Sequence, residues 1–250
     1  MTNGKLLAAA IGALAIQASL PAAADGNDCC FRLTPYYWAV GIDGSLEDNR
    51  GATTSQVDFS NDIADVSDNL EYNGSLQLEH HLGHWVNFAA VDYMKVDNDN
   101  SDINIAGADV KMETKGTLAT AATGYRFEMG ERSQVDLMVG VRYAKLDVQA
   151  SLNGGPGGSI SGDTDLTDGI VMLRPRFAIT RYWSFSPTMA IGGGDSDKVY
   201  ELAPELVWTN DCCNLEVRFG YRKVAYEYEE NNVKLDFSFA GPMIGVGFAF

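Results

Sequence analysis

The chain has 250 residues, a formal net charge of −16, 26 glycines and 10% aromatic residues. An acidic balance with no basic stripe excludes the electrostatic grip that nucleic-acid binding requires. Beyond the N-terminal segment no apolar run approaches the ~20 residues of a spanning helix, so a membrane role would have to be played by strands.

The N-terminus reads as an export signal. Lys5 supplies a short positive region, residues 6–16 are apolar apart from glycine and alanine, and Ala22-Ala23-Ala24 satisfies the small-residue rule for cleavage before Asp25. Gly26-Asn27-Asp28 before Cys29 is not a lipid-attachment motif. The expected organisation is a signal peptide, 1–24, and one domain, 25–250. Losing Lys5, with no acid among residues 1–24, moves the formal charge from −16 to −17.

Ten segments alternate with the period of two that marks a strand. The first, 31–46, carries Tyr36, Tyr37 and Trp38. The second, 70–81, sets Leu76 and Leu78 against Gln77 and Glu79; the third, 85–96, sets Trp85, Val91 and Tyr93 against Asp92. The fourth is 111–127. The fifth, 134–149, sets Leu137, Val139 and Val141 against Asp136 and Arg142; the sixth, 169–179, sets Val171, Leu173 and Phe177 against Arg174 and Arg176. In the seventh, 183–191, Trp183, Phe185 and Ile191 oppose Ser184, Ser186 and Thr188. In the eighth, 199–209, Tyr200, Leu202, Leu206 and Trp208 oppose Glu201 and Glu205. The ninth, 214–227, sets Val217, Phe219 and Tyr221 against Glu216, Arg218 and Arg222. The tenth is 233–250.

Alternation alone suits either a soluble sandwich or a closed barrel in lipid. Three features favour the barrel. Aromatics stand near strand ends as interfacial girdles do (Tyr36 and Trp38, Trp183, Trp208, Phe248 and Phe250), connections alternate short and long, and the chain is exported. The expected fold is all-β: a closed antiparallel transmembrane β-barrel of ten strands, with eight as the alternative. An even strand number puts both termini with the short turns, in the periplasm. The loops 47–69, 97–110 and 150–168 then face outwards.

Hydrophobic parity changes within three strands. It does so after Tyr143, near Arg222-Lys223, and at Gly241-Pro242, where odd Leu235, Phe237 and Phe239 give way to even Ile244, Val246 and Phe248. The expectation is a β-bulge at Gly241-Pro242 and comparable irregularities at the other two sites. Residues 135–143 and 215–223 share a Gly-x-Arg and an acid four residues before the glycine; the simple reading is the same hairpin problem solved twice.

The mature chain resembles a family of small Gram-negative outer-membrane β-barrel proteins of roughly this length. The resemblance rests on Pro35-Tyr36-Tyr37-Trp38-Ala39-Val40-Gly41-Ile42-Asp43-Gly44, on Val57 to Ser60 with Asp68 to Leu70, on Gly140 to Tyr143, on Gly220 to Arg222, and on Gly241 to Phe250. It implies fold and location and no settled activity. Its closing Phe248 and Phe250 are read as the assembly signal, met by the barrel-assembly machinery.

The polar faces define the candidate site. Arg126, Arg142, Arg174, Arg176, Arg218 and Arg222 are expected to point into the lumen with Glu79, Asp92, Asp136, Glu201, Glu205 and Glu216. Small barrels fill their interiors with side chains, whereas open porins use ~16–18 strands. The bland outcome is a salt-bridged plug and the functional one a narrow polar pore for small solutes. Residues 57–70 place Phe59, Ile63, Val66 and Leu70 at helical spacing with Ser60 or Asn61 as cap, so a short helix over the mouth competes with a solvent loop.

Asp97, Asp99 and Asp102 could hold divalent cations loosely, but they lack the glycine and final glutamate of a calcium hand. Cys29-Cys30 and Cys212-Cys213 both map to the periplasmic rim, where disulfides between the two pairs are the leading reading. A four-thiolate metal site with His80, His81 and His84 nearby is the alternative, although the spacing matches no zinc motif. No nucleophile has a histidine in reach, so no catalytic set, cofactor or metal is expected. The leading expectation is an integral outer-membrane protein, structural or slowly permeable. A surface interaction protein using its acidic outer loops is the alternative and an outer-membrane hydrolase the third. Lipopolysaccharide, membrane lipid and small solutes or divalent cations are the expected partners.

Overall fold

The computed structural model describes residues 31–48, 55–61, 70–98, 104–105, 108–130, 132–153, 158–210, 214–230 and 233–250. Residues 1–24, expected to be a signal peptide, all four cysteines, and Asp99 and Asp102 lie outside them, as do the side chains of Phe59 and Asp97.

A single antiparallel sheet closes on itself. Its elements are β1 (Phe31–Trp38), β2 (Gly41–Asp48), β3 (Ser55–Asn61), β4 (Leu70–Leu82), β5 (Trp85–Asn98), β6 (Asn104–Ile105), β7 (Ala108–Met129) and β8 (Ser133–Asn153). They continue with β9 (Gly158–Ala178), β10 (Trp183–Phe185), β11 (Thr188–Gly194), β12 (Lys198–Ala203), β13 (Glu205–Asn210), β14 (Leu215–Glu230) and β15 (Val233–Ala249). β1 with β2, β10 with β11 and β12 with β13 are interrupted halves of single staves, and β3 and β6 extend the staves of β4 and β5, which makes ten staves. β15 pairs with β14 along one edge and with β1 and β2 along the other, which closes the sheet. Closure pairs the backbone groups of neighbouring strands around the ring, the condition for crossing lipid. The eight-stranded alternative is excluded.

The expected irregularities are absent. β14 and β15 pair without a break from Leu215↔Phe248 to Glu230↔Val233, and β7 and β8 from Asp109↔Asn153 to Met129↔Ser133. Parity is constant through β8, β14 and β15; the one register shift among the described residues falls at Leu70/Tyr72 in β4. What changes is polarity: Val224, Tyr226, Phe237 and Phe239 point inwards and are buried. Curvature comes instead from inward glycines. A Cβ on Gly140 would lie 2.2 Å from the Ala121 carbonyl oxygen, and one on Gly241 only 1.7 Å from that of Ala39. Bare glycine lets neighbouring backbones close in and the sheet bend, a second device besides bulges.

Two loop expectations are also corrected. Residues 55–61 form a strand on β2 rather than the start of a helix; the rest of 57–70 lies outside the described residues up to Leu70, which opens β4. The supposed long loop 150–168 is mostly strand, because β8 and β9 run on together, pairing as far as Leu152↔Gly158.

The exterior is apolar. Val139, Ile191, Leu202 and Ile244 are among the large hydrophobics facing out, and Trp85, Phe127, Phe248 and Phe250 face out at the rim that carries the short turns. Phe31 and Phe250 meet at that rim, exchanging backbone hydrogen bonds of 3.0 and 2.9 Å. The ends of β7, β8 and β9 away from the short turns run far beyond the apolar band. The 22 residues of β7 rise about 55 Å at the usual strand rise and tilt, against an apolar band ~25 Å tall.

Candidate functional site: a filled lumen

The side chains inside the barrel form three layers along its axis. The layer nearest the short turns is ionic. Glu79 receives Arg32 at 3.0 Å, Arg174, and more distantly Arg218 at 3.7 Å. Arg218 also donates to Glu205 at 2.8 Å, and Arg176 to Glu216 at 2.8 Å. Arg126 grips Asp136 through both oxygens, at 2.7 and 2.8 Å, while contacting the His81 ring. Such fork-on-carboxylate contacts use the fixed geometry of guanidinium.

The middle layer centres on Arg222. Its Nε donates to Glu201 at 2.7 Å and its Nη1 to Asp92 and to the Tyr36 hydroxyl, both at 2.9 Å. Tyr36 in turn donates to Asp92, and Arg142 holds Glu201 from the other side while donating to Thr120 at 3.2 Å. Two aromatic rings support these cations, Trp38 beneath Arg222 and Phe88 beneath Arg174, at 4.6 and 4.5 Å. Burial of so many charges is tolerable because each carboxylate of these two layers is met by at least one guanidinium.

The layer farthest from the short turns, called the outer layer below, is apolar. Met94, Leu118, Ala144, Leu166, Phe237 and Phe239 pack across the bore with Tyr226, whose ring stacks on Phe237 at 4.9 Å. Cavities in the outer, middle and turn-side layers measure about 10 Å³ each, room for about one water.

All twelve charged residues expected in the lumen lie there: ten buried, with Arg126 and Arg176 half-buried. Tyr36 and Trp38, expected in the lipid girdle, point inwards instead and are 6% and 2% exposed. Trp183, Phe248 and Phe250 do face out, and Trp208 is half-buried.

Three participants were not foreseen. Arg32 shares parity with Thr34, Tyr36 and Trp38, a pattern masked by the run of aromatics. Its strand lies against the inward glycines of β15; Gly245, for example, would push a Cβ to 2.8 Å from that of Tyr36. His81 joins the ionic layer, whereas His80 stacks on Phe31 and His84 on Tyr125. Asp168, fully buried, accepts from the Ser196 nitrogen at 2.9 Å and its hydroxyl at 2.8 Å, pinning the β11–β12 hairpin. It continues the inward row of Ile170, Met172 and Arg174, which the loop assignment cut short.

No protein-family model matches the chain, and no curated protein matches it in sequence. Among solved structures, the outer membrane protease OmpT from Escherichia coli superimposes over 93% of this chain and 99% of its own, with a TM-score of 0.58 at 9% identity. The fold is that of an outer-membrane β-barrel. The translocator domain of the autotransporter NalP from Neisseria meningitidis covers 97% of both chains, with a TM-score of 0.48 and 13% identity. Ail, the attachment invasion locus protein of Yersinia pestis, covers 88% of this barrel and 99% of its own chain, with a TM-score of 0.37 and 9% identity. At such identities no residue role carries over.

Proposed function

We propose that this protein is an integral outer-membrane barrel of a Gram-negative bacterium whose lumen is a closed, stabilising plug, so that its role is structural and any passage of small solutes slow. The observation that carries the reading is the filled bore: an ionic layer, a hydrogen-bonded middle layer and an apolar layer in series, above and below which no wide channel is needed for stability. The apolar exterior supports insertion in lipid, and the short-turn rim carrying Phe31 and Phe250 is read as periplasmic. Purified protein in planar bilayers is expected to give no stable large conductance, and to migrate differently on gels before and after boiling. A large steady conductance would overturn the plug, and loss of heat-modifiable migration the barrel in lipid.

A second reading is favoured by the length of β7, β8 and β9, at 22, 21 and 21 residues, about twice the ~9–11 needed to cross. They lift a stretch of barrel and its loops clear of the membrane, a platform for contact with other surfaces. Deleting residues 99–107 should then abolish binding to such a partner without loss of the barrel. A hydrolytic role would need acid–base groups at that end, and all three histidines of the chain sit at the other. Assay against peptide and lipid esters decides that case directly.

A further inference from the structure

The ionic layer carries more cation than anion. Arg32, Arg126, Arg174, Arg176 and Arg218 stand in it against Glu79, Asp136, Glu205 and Glu216, five guanidiniums to four carboxylates. His81, which contacts Arg126 and Glu79, adds no negative charge in either protonation state. Glu128 and Arg132, at the adjacent turn, are both exposed and opposite in sign, so they leave the difference unchanged. Arginine stays protonated in proteins, and the excess therefore persists. The middle layer has none: Arg142 and Arg222 meet Asp92 and Glu201, two against two.

The excess converges on one point. A cavity of about 10 Å³ is lined by all five of these arginines but by only two of the carboxylates, Glu79 and Asp136; Gln134 and Ser186 complete its wall. Both carboxylates already face guanidinium. Asp136 is gripped through both oxygens by Arg126, and Glu79 receives Arg32 and Arg174. Two donors of the wall residues go unused. Arg174 is 7% exposed, and its Nη1 has no hydrogen-bond partner among the described residues; nor has the Nε of Arg32. Turning Arg174 away would break the contact of its Nη2 with Glu79 and lift its guanidinium from the Phe88 ring, 4.5 Å below. Buried donors without acceptors are costly, charged ones most of all.

Water at this point would satisfy the donors and leave the charge. Phosphate, sulfate or a carboxylate would answer the charge but exceed a space for about one water. A single-atom anion does both. Resting on the lumen geometry and not on whether the plug conducts, we propose that this cavity is a halide site that takes chloride. The ion is held by Arg32 Nε and Arg174 Nη1, with the Gln134 amide and the Ser186 hydroxyl as further donors.

Chloride enters from the short-turn side, where Arg32, Arg126 and Arg176 remain partly exposed. The wall draws on β1, β4, β7, β8, β9 and β14 and on the link between β10 and β11, so the ion braces strands from opposite sides of the bore. An ion bound by the folded barrel and not by the unfolded chain stabilises the fold by mass action. The middle layer supplies the contrast. Arg142 Nη1 is also without a partner among the described residues, beside a cavity of the same size, but there the charges balance and water suffices.

The test compares the full-length barrel, refolded in detergent micelles, with R32Q and Q134E. R32Q removes the excess charge while leaving Glu79 with Arg174 and Arg218, and Glu216 with Arg176. Q134E places a tethered carboxylate in the cavity with little change of shape. Two readouts are taken: anomalous scattering from bromide in crystals, and the urea midpoint in sodium chloride against sodium gluconate at equal ionic strength. The parent should show a bromide peak among Arg32, Arg174 and Arg218 and none beside Arg142, and its midpoint should rise with chloride and saturate. Both variants should lack the peak and bind halide about tenfold or more weakly, the loss expected for a charged hydrogen bond. Absence of the peak in the parent, or equal midpoints in the two salts, would overturn the site and leave the cavity to water. A peak of equal height beside Arg142 would overturn it too, because the excess charge would then select nothing. A folded R32Q or Q134E that keeps the peak at parental height would reduce the bromide to an adventitious ion only and overturn the proposal. If neither variant folds, the parent decides alone by the same two readouts.

Discussion

The guanidinium of Arg222 lies 4.6 Å from the centre of the Trp38 ring, sandwiching a buried cation between an indole and two carboxylates. Arg222→Met keeps the apolar stem and removes the charge that answers Asp92 and part of that which answers Glu201. Uncompensated buried charges of this kind cost about 3–5 kcal/mol, and denaturant unfolding in micelles should show a loss of that order. Arg222→Lys should recover only part of it, because ammonium cannot serve Glu201 and Asp92 in the forked geometry seen here. A neutral outcome for the methionine variant would mean that the lumen is wet enough to solvate both acids.

The layers act in series, which makes conductance a test of their arrangement. Removing the outer apolar layer alone, with Phe237→Ala and Phe239→Ala, should leave the barrel closed, because the Arg222–Glu201–Asp92 layer still fills the bore. Removing the middle layer alone, with Glu201→Ala and Arg222→Ala, should leave it closed by the aromatics and by the ionic layer below. Combining the four changes should raise single-channel conductance in planar bilayers above either pair. Equal conductance in all three variants would show that the ionic layer around Glu79 is the true barrier.

The residues just discussed also show how far the sequence could be read. Ten strands and all twelve inward charges were legible, because a charge on one side of an alternating strand settles which side faces the lumen. The outer half of the barrel was not. There Val224, Tyr226, Phe237 and Phe239 turn apolar side chains inwards while Lys223 and Asp236 face water, as in a soluble barrel. A strand that passes from lipid to water must exchange its polar and apolar faces, and in the sequence this looks like a bulge. Tyr36 and Trp38 were misplaced for a related reason. Aromatic residues suit both a girdle and a lumen, and only the glycines of β15 opposite them reveal the space they fill.

Glycine-based curvature predicts a sharp positional contrast. In Gly140→Ala the new Cβ would meet the Ala121 carbonyl at 2.2 Å and the Ala122 backbone at 2.7 Å, atoms that cannot yield without breaking the ladder. Gly74→Ala meets nothing within 4 Å and should change stability by no more than about 0.5 kcal/mol. Refolding yield, read from the heat-modifiable band, should fall steeply for the first and stay level for the second. Equal yields would show that the strands flex enough to accept a methyl group at the bend.

Phe250 closes the seam with Phe31 through two backbone hydrogen bonds and ring centres 6.0 Å apart. Phe250→Ala keeps the backbone bonds and removes the ring. If the residue serves assembly, outer-membrane levels in cells should drop while the protein that does arrive unfolds at nearly the parental denaturant concentration. A drop in stability with normal delivery would instead make Phe250 a packing residue.

The described residues next to the cysteine pairs stand at the same seam. Phe31, which follows Cys29-Cys30, hydrogen-bonds to Phe250, and Asn214, which follows Cys212-Cys213, accepts from the Ala249 nitrogen at 3.0 Å. Phe31 and Asn214 thus stand on opposite sides of the end of β15, two strand spacings or about 10 Å apart. Disulfides between the two pairs would strap the end of β15 into the barrel. Under non-reducing conditions the exported protein should show no free thiols, and reductant should release four, the full cysteine content of the chain. Cys→Ser replacement of Cys212 and Cys213 should then lower the denaturant midpoint of the oxidised protein and leave that of the reduced protein unchanged. Four free thiols before reduction would remove the strap and leave closure to the β14–β15–β1 ladders alone.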